Sequence, residues 1–230
     1  MSLMREKYKK KFGTTDKQID NMLDMIGYVE SKNKNIAQDS GVGKIGPGRG
    51  FFQFEATAKD KEGKFAQGSA VTALKRVRNA YMESKVDIPD WAKRDMEKDF
   101  ENPSIGFNAM LLNREQQEEM ILADLYIKSG GSFANIEKDK KSKQPLLKKA
   151  LQGDVKELWL KEHWAGAENL LKSKNPEEQI LGAKLYKEKG DQWDRDIQIF
   201  KKTNTVDNIA FNAMNNITKT KPIISGRDIA

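Results

Sequence analysis

Residues 14–31, TTDKQIDNMLDMIGYVES, carry a clear helical pattern. Thr15 followed three residues later by Gln18 is typical of a capping box, in which each side chain bonds the other residue's backbone N–H. Apolar residues then recur at the spacing of one helix face. They are Ile19, Met22, Leu23, Ile26 and Val29. The stretch therefore predicts an amphipathic helix whose apolar face ends beside Glu30.

Glu30 would lie between the core and the solvent at the end of this helix. Partial burial favours the neutral form of a carboxyl group. A neutral carboxylic acid can protonate a glycosidic oxygen, which is the role of a general acid. A glutamate near a helix C-terminus is also unfavourable with the helix dipole, so its presence is informative. We therefore take Glu30 as the candidate catalytic acid; a surface glutamate at a helix end is the competing interpretation.

Residues 46–55, GPGRGFFQFE, concentrate three glycines in five residues. Glycine permits close approach of a ligand to the backbone, so Gly50 is a candidate binding position. Phe51 offers an apolar surface, and Gln53 can bond hydroxyl and N-acetyl groups. Glu55 alternates onto the same face as Gln53 in an extended segment. A glycan is the guest that we favour; a phosphate and a purely structural turn are the alternatives.

The rest of the chain is mostly helical in pattern, with a short strand or hairpin expected around residues 50–54. A second helix begins near Ser69, and a third begins at a capping box formed by Asn113 and Gln116. The fold class is therefore mainly α. The further helical segments are residues 154–173 with Asp154 as cap, 175–190 with Asn175 as cap, 191–202 and 205–217.

The composition restricts the classes of function. The formal net charge is +7, so the partners to consider are nucleic acid, an anionic membrane surface and the anionic bacterial cell wall. The absence of cysteine and the single histidine exclude thiolate zinc sites and histidine clusters, and we expect no metal or cofactor. The sequence shows no apolar run long enough for a transmembrane segment and no secretory signal.

Four segments taken in order resemble the lysozyme-like lytic transglycosylases, and most closely the lysozymes of bacteriophage tails and virions. The first two are the helix-ending "VES" of residues 29–31 and "GPGRGFFQFEATA" of residues 46–58. The others are "LLNREQQEEMILADLY" of residues 111–126 and "LWLKEHWAGAE" of residues 158–168. The resemblance implies an α+β lysozyme-like fold: a helical bundle around a cleft, with a short glycine-rich loop or β-hairpin.

The resemblance also implies roles for individual residues. It makes Glu30 the catalytic acid and Ser31 a residue that orients the acid or the substrate. Gly50 and Gln53 would line the glycan site, and His163 would be a polar residue that faces the cleft from a later helix. A core histidine with one hydrogen bond is the alternative for His163. The four tryptophans could each stack on a sugar, and none is singled out.

The chain lacks the Tyr-Asn pair that transglycosylases usually carry near the last motif, and this leaves the reaction open. With Glu30 alone, the muramic 6-hydroxyl would close a 1,6-anhydro ring. With Glu55 or Asp39 as a second carboxylate across the cleft, water would be activated and the bond hydrolysed. The resemblance implies peptidoglycan glycan strands as substrate, and it places the protein in a phage virion that acts at the bacterial cell wall.

The expected organisation is a leader over residues 1–13, a lysozyme-like catalytic domain over 14–170, a helical extension over 171–217 and a tail over 218–230. The extension would pack on the domain or on other virion or tail proteins. Two other functions remain open. One is a structural virion protein that keeps the fold without the activity, and the other is a basic DNA-binding helical protein. No helix-turn-helix or zinc motif supports specific binding of nucleic acid.

Overall fold

The computed structural model describes residues 2–39, 45–59, 65–93, 107–133, 144–164 and 166–219, and it is mainly helical. The α-helices are α1 (Leu3–Phe12), α2 (Asp16–Ser31), α3 (Ser69–Glu83), α4 (Asp90–Lys93), α5 (Arg114–Lys128), α6 (Pro145–Leu151), α7 (Lys156–Leu158), α8 (Gly166–Leu171) and α9 (Pro176–Lys219). A 3₁₀ turn (Ala109–Leu111) precedes α5, and a π-helical turn (Trp159–His163) continues α7. The prediction of a mainly α fold is confirmed for these residues.

Helix α1 occupies most of the segment predicted to be a leader, residues 1–13, and that prediction is wrong. The side chains of Met4 and Tyr8, one helical turn apart, are completely buried in the core. The Tyr8 hydroxyl donates to the carbonyl of Leu122 in α5 at 2.9 Å, and Glu119 of α5 accepts from the Met4 N–H at 3.0 Å. Residues 3–12 are therefore part of the folded core.

Helices α2 and α5 begin with the two capping boxes that the sequence predicts. Thr15 and Gln18 exchange both bonds of the first box, and Asn113 and Gln116 exchange both bonds of the second. All five residues of the predicted apolar face of α2 are buried. Helix α5 is buried around most of its circumference and packs against α1 and α3, which makes it the central helix of the bundle.

A small antiparallel sheet follows α2 in the order β1 (Ile36–Asp39), β2 (Ile45–Gly50), β3 (Phe54–Glu55). The pairing is Ile36 with Gly50 and Arg49 with Phe54, and a β-bulge interrupts β1. The hairpin expected around residues 50–54 is confirmed, with a third strand that the sequence did not reveal. A separate hairpin pairs β4 (Thr57–Lys59) with β5 (Phe65–Gln67) and leads into α3.

The helix predicted over residues 154–173 is interrupted, which corrects the sequence interpretation. After the short α7, the chain widens into the π-helical turn, in which the Trp164 N–H bonds the Trp159 carbonyl at 2.8 Å. Helix α8 follows as a separate element. π-helical turns often occur at functional sites, and this turn carries both Trp159 and His163.

Helix α9 replaces the three shorter helices predicted for residues 175–217. Asn175 caps it as expected, because its side-chain oxygen accepts from the Glu177 N–H at 3.0 Å. The helix then runs without a break for 44 residues. Trp193, Ile197 and Phe200 are buried in the same core as α2, so the boundary predicted at residue 170 does not separate two cores.

The predicted tail of residues 218–230 is described only in part. Residues 218 and 219 belong to α9, and residues 220–230 of the predicted tail lie outside the described part of the chain. Within the described residues, no helix is both long enough and apolar enough to span a membrane.

Candidate active-site cleft

A cleft of about 410 Å³ lies where α2, the three-stranded sheet, α5 and the π-helical turn meet. Of the residues predicted to form a site, the cleft brings together Glu30, Gln53, Glu55 and His163. The other side chains that line it are Gln38, Phe54, Ser69, Asp124, Lys128 and Trp164. Four residues proposed from three separate stretches of sequence thus share one concave surface.

Glu30 lies at the inner wall of the cleft, and its side chain is 13% exposed. Its Oε1 accepts a hydrogen bond of 2.6 Å from the indole Nε1 of Trp159. An indole N–H is only a donor, so Oε1 must remain an acceptor in both protonation states of the carboxyl group. The carbonyl oxygen of a protonated carboxyl group is its better acceptor, so this bond favours Oε2 as the oxygen that carries the acid proton.

Trp159 is held firmly in the position from which it donates to Glu30. Its side chain is almost completely buried, and its ring lies 5.2 Å from that of Trp193 in α9, centroid to centroid. Aromatic pairs at this separation attract each other. The C-terminal helix therefore supports the residue that orients Glu30.

His163, the last residue of the π-helical turn, also faces Glu30, as Trp159 does. Its Nε2 lies 3.1 Å from the Phe52 carbonyl oxygen and 3.5 Å from Glu30 Oε1. A carbonyl oxygen only accepts, so Nε2 carries a proton. Burial lowers the pKa of the His163 imidazole below its usual value, and the charge of Lys128 acts in the same direction, against Glu30 and Asp124. The ring is therefore neutral near pH 7, and its contact with Glu30 is not an ion pair.

Two glycines of the loop, Gly48 and Gly50, have a structural reason that the sequence did not reveal. Gly50 is buried with φ +86°, and a Cβ there would collide with the side-chain amide of Gln117 in α5. A Cβ at Gly48 would collide in the same way with the amide of Gln53. Close approach does occur at these glycines, but the groups that approach are side chains of the protein itself. This corrects the inference that a ligand explains them.

Gln117 connects the glycine loop to the centre of the bundle. Its Oε1 accepts from the Phe51 N–H at 2.8 Å, and its Nε2 donates to Asn35 at 3.1 Å and to the Leu112 carbonyl at 3.0 Å. The side chain is completely buried, and its hydrogen bonds satisfy its polar atoms. The loop is thereby fixed in position relative to Glu30.

Gln53 and Glu55 line the cleft from the turn and strand beyond the glycines. Gln53 has φ +50°, and its Nε2 donates to the carbonyls of Gly50 at 2.8 Å and Ile36 at 3.1 Å. Its amide nitrogen is thus used within the protein, whereas its buried Oε1 has no hydrogen-bond partner among the described residues. Glu55 is exposed. It is therefore the carboxylate of β3 that is open to the cleft.

Ser31 and Phe51 do not line the cleft. The buried Ser31 hydroxyl lies within hydrogen-bond distance of two carbonyls, that of Phe51 at 2.8 Å and that of Gly27 at 3.1 Å, so it ties the loop to α2. The Phe51 ring lies 5.5 Å from the guanidinium carbon of Arg114. Phe54 is the phenylalanine that lines the cleft, with its ring edge-to-face against that of His163.

Sequence reasoning missed two groups of residues at the site. Trp159 was noticed among the tryptophans but was not singled out, because nothing local connects it with a carboxylate 129 residues away. The other group is an ion cluster in which Asp124 pairs with Arg76 of α3 and with Lys128, 2.8 Å away. The i,i+4 spacing of Asp124 and Lys128 was visible, but their position in the cleft was not.

A second cavity, of about 730 Å³, is larger but lies away from Glu30. Its floor is an ion network in which Glu118 accepts from Arg5 at 2.6 Å and from Arg114 at 2.8 Å. These side chains pair with one another and connect α1 with α5. We therefore place the chemistry in the smaller cleft. Within the described ranges, no cluster of three or more histidine, aspartate or glutamate residues could hold a metal ion.

Comparisons of the chain with protein-family models, with curated proteins and with solved structures found no match. The sequence motifs and the geometry of the cleft are the basis for the function proposed below.

Proposed function

We propose that the protein is a peptidoglycan glycosidase that cleaves the β-1,4 bond between N-acetylmuramic acid and N-acetylglucosamine, with Glu30 as general acid. The observation that carries the proposal is the Glu30 carboxyl group, largely buried in the wall of a cleft and oriented by Trp159. The four-segment resemblance to phage lysozymes supplies the substrate class.

The first chemical step transfers the proton on Oε2 of Glu30 to the glycosidic oxygen. Glu30 becomes an anion as the bond breaks, and the Trp159 N–H already points at its Oε1. Hydrogen bonds to a charged acceptor are stronger than those to a neutral one. The bond therefore strengthens as negative charge develops on Glu30, which stabilises the transition state more than the ground state.

The second step depends on what attacks the anomeric carbon. Glu55 is the carboxylate best suited to activate water, because it lines the cleft and is exposed. Asp124 also lines the cleft, but both of its oxygens are paired with cations. Asp39 is not part of the lining. Without a base at Glu55, ionised Glu30 would take a proton from the muramic 6-hydroxyl and the anhydro ring would form.

The decisive experiment is digestion of purified peptidoglycan by the wild type and by Glu30→Gln, with products identified by mass spectrometry. Glutamine keeps the shape of the side chain but cannot donate the acid proton, so we expect no release above background. Glu157→Gln is the matched control, because Glu157 is an exposed glutamate outside the cleft. Equal release by wild type and Glu30→Gln would contradict the assignment of Glu30.

The products and a further variant separate the two reactions. Anhydro products, lighter by one water, would identify a transglycosylase; reducing-end products would identify a hydrolase. In the second case Glu55→Gln should also lose most of the activity. If Glu55→Gln retains full hydrolysis, another group activates the water.

Trp159→Phe tests the orienting hydrogen bond. Phenylalanine keeps an aromatic ring against Trp193 but removes the N–H donor to Glu30. A hydrogen bond to a charged group is worth about 1.5–3 kcal/mol, so we expect kcat to fall about 10- to 100-fold. KM should change little, because Trp159 is buried away from substrate. Trp91→Phe is the control, and an equal loss of kcat in both variants would contradict the role of Trp159.

The resemblance to virion lysozymes further supports a location in the phage particle, with action on the cell wall of the host. One observation favours a non-catalytic virion protein instead. Trp159 and His163 already occupy the neighbourhood of Glu30 Oε1, as they would around a structural carboxylate. Absence of any peptidoglycan cleavage by the wild type, both as the isolated chain and in the particle, would favour this alternative.

A further inference from the structure

Lys128 of α5 is the one cationic side chain among the described residues that line the cleft. It lies at the C-terminal end of the helix, and its side chain is 27% exposed. Its Nζ donates to Asp124 Oδ2 at 2.8 Å. A lysine ammonium group has three N–H donors. Lys128 therefore keeps donors for a ligand while one bond fixes its position.

The surroundings of Lys128 leave a surplus of positive charge on this side of the cleft. Asp124, whose side chain is only 3% exposed, is shared between Lys128 and Arg76. One negative charge is thus set against two positive charges. Nη1 of Arg76 also donates to the Asp124 carbonyl, and the Arg76 side chain does not line the cleft. The unbalanced charge is therefore presented to the cleft by Lys128.

Two carboxylate side chains in the lining, besides that of Asp124, restrict where an anion can bind. Glu30 and Glu55 lie on α2 and β3 and would repel a carboxylate when they are ionised. The charge of Lys128 reaches the His163 ring, whose pKa it lowers, and that ring is 3.5 Å from Glu30. An anion at Lys128 would therefore bind in the same cleft as the acid, on the α5 side.

We propose that Lys128, held by Asp124, binds a carboxylate of the muramic acid unit and so distinguishes peptidoglycan from uncharged N-acetylglucosamine polymers. The inference rests on the proposed function for its substrate class. The carboxylate could be that of the lactyl ether, which is free when the peptide stem has been removed, or that of the stem itself. Both present the same chemistry to an ammonium group.

Binding can be measured separately from cleavage in a Glu30→Gln background, with calorimetry at low salt. The probes are stem-free muramyl glycan oligomers and chitin oligomers of equal length. Adding Lys128→Met should weaken binding of the muramyl oligomers about tenfold, the effect of losing one hydrogen bond to a charged group. The preference over chitin should fall by the same factor, and about 0.5 M salt should reduce the difference.

Three further variants make the result specific to the charge in the cleft. Lys128→Arg should restore most of the preference, and Lys128→Gln should behave as Lys128→Met does. Lys17→Met, at an exposed lysine of α2, should have no effect. Muramyl oligomers with intact stems identify the source: an effect only with stems present indicates the stem carboxylate, and an effect on stem-free oligomers indicates the lactyl carboxylate.

An equal weakening for muramyl and chitin oligomers, or no weakening for muramyl oligomers either with or without their peptide stems, would overturn the role of Lys128. The proposed activity is judged independently by wild-type digestion. If the wild type cleaves peptidoglycan but Lys128 does not affect the preference for muramyl over chitin oligomers, the role of Lys128 is contradicted and the proposed glycosidase activity stands. If Lys128 determines the preference for muramyl oligomers but the wild type cleaves no peptidoglycan, the role of Lys128 is supported and the proposed glycosidase activity is contradicted. Absence of binding to every oligomer would overturn this inference, whatever digestion shows.

Discussion

At the scale of single residues, the surroundings of His163 favour the neutral form of its imidazole ring. The ring is 9% exposed, its Nε2 faces the Phe52 carbonyl and Glu30, and its Nδ1 is buried without a partner. A second proton would have to lie on Nδ1, where the described residues offer no acceptor. The folded structure thus favours the neutral form of the His163 ring.

We predict that this histidine makes folding less favourable in acid. The pKa of His163 is lowered in the folded protein, whereas in the unfolded chain it is near 6.5. The unfolded state then binds more protons, so the free energy of unfolding decreases as the pH falls below about 6.5. Urea unfolding at pH 7 and pH 5 should show a smaller decrease for His163→Gln than for wild type. Equal decreases would contradict the assignment.

At the scale of elements, the turn between β2 and β3 depends on its contact with α5. Gly50 has φ +86° and lies against Gln117, which in turn accepts from the Phe51 N–H. Three amide side chains cover glycines in this way: Asn33 covers Gly27, Gln53 covers Gly48, and Gln117 covers Gly50. The hairpin is therefore held by specific polar contacts as well as by apolar packing.

Gly50→Ala should destabilise the protein more than Gly13→Ala does. Both glycines have positive φ, for which alanine costs about 1 kcal/mol or slightly more. Only at Gly50 would the new methyl group displace a buried amide and leave the Phe51 N–H without its acceptor. This adds about 1–3 kcal/mol. Denaturant unfolding of both variants measures the difference, and equal losses would contradict the role of Gln117.

Local patterns predicted some elements well and others poorly. The capping boxes at Thr15 and Asn113 depend on residues three apart, so the sequence was enough to locate both helix starts. Helix α1 was missed because Met4 and Tyr8 are its only buried side chains among many lysines. The continuity of α9 was missed: the predicted helix of residues 175–190 ended at Gly190, whereas Gly190 lies within α9.

The site was predictable to the extent that its residues lie in recognisable motifs. Glu30, Gln53, Glu55 and His163 came from three separate stretches and line one cleft. The contact of Trp159 with Glu30 could not be predicted, because it depends on how the π-helical turn packs against α2. The Lys128 cluster was hidden for the same reason, since Arg76 belongs to another helix.

At the scale of the whole molecule, α9 and the cleft form one structure. Trp193 packs on Trp159, and Asp194 and Asp196 of α9 pair with Lys156 at 2.7 Å and Lys32 at 2.8 Å. The helix therefore holds both α2, which carries Glu30, and the segment that carries Trp159.

Trp193→Ala should reduce both stability and peptidoglycan cleavage. Removal of a buried tryptophan side chain costs about 3–5 kcal/mol, and the cavity would lie directly behind Trp159. Ile180→Ala, at an exposed position of the same helix, should change neither property. Thermal unfolding and digestion rates measure the two effects. Full cleavage by folded Trp193→Ala would contradict the support of Trp159 by α9.

The position of the single histidine gives the protein a built-in spectroscopic reporter. Because the chain has one imidazole and it lies 3.5 Å from Glu30, its NMR resonances need no assignment by mutagenesis. Isotope labelling of histidine alone would isolate one ring, whose chemical shifts respond to a neighbouring charge. Glycan binding, proton loss from Glu30 and displacement of the Phe52 carbonyl would each be recorded at the same nucleus.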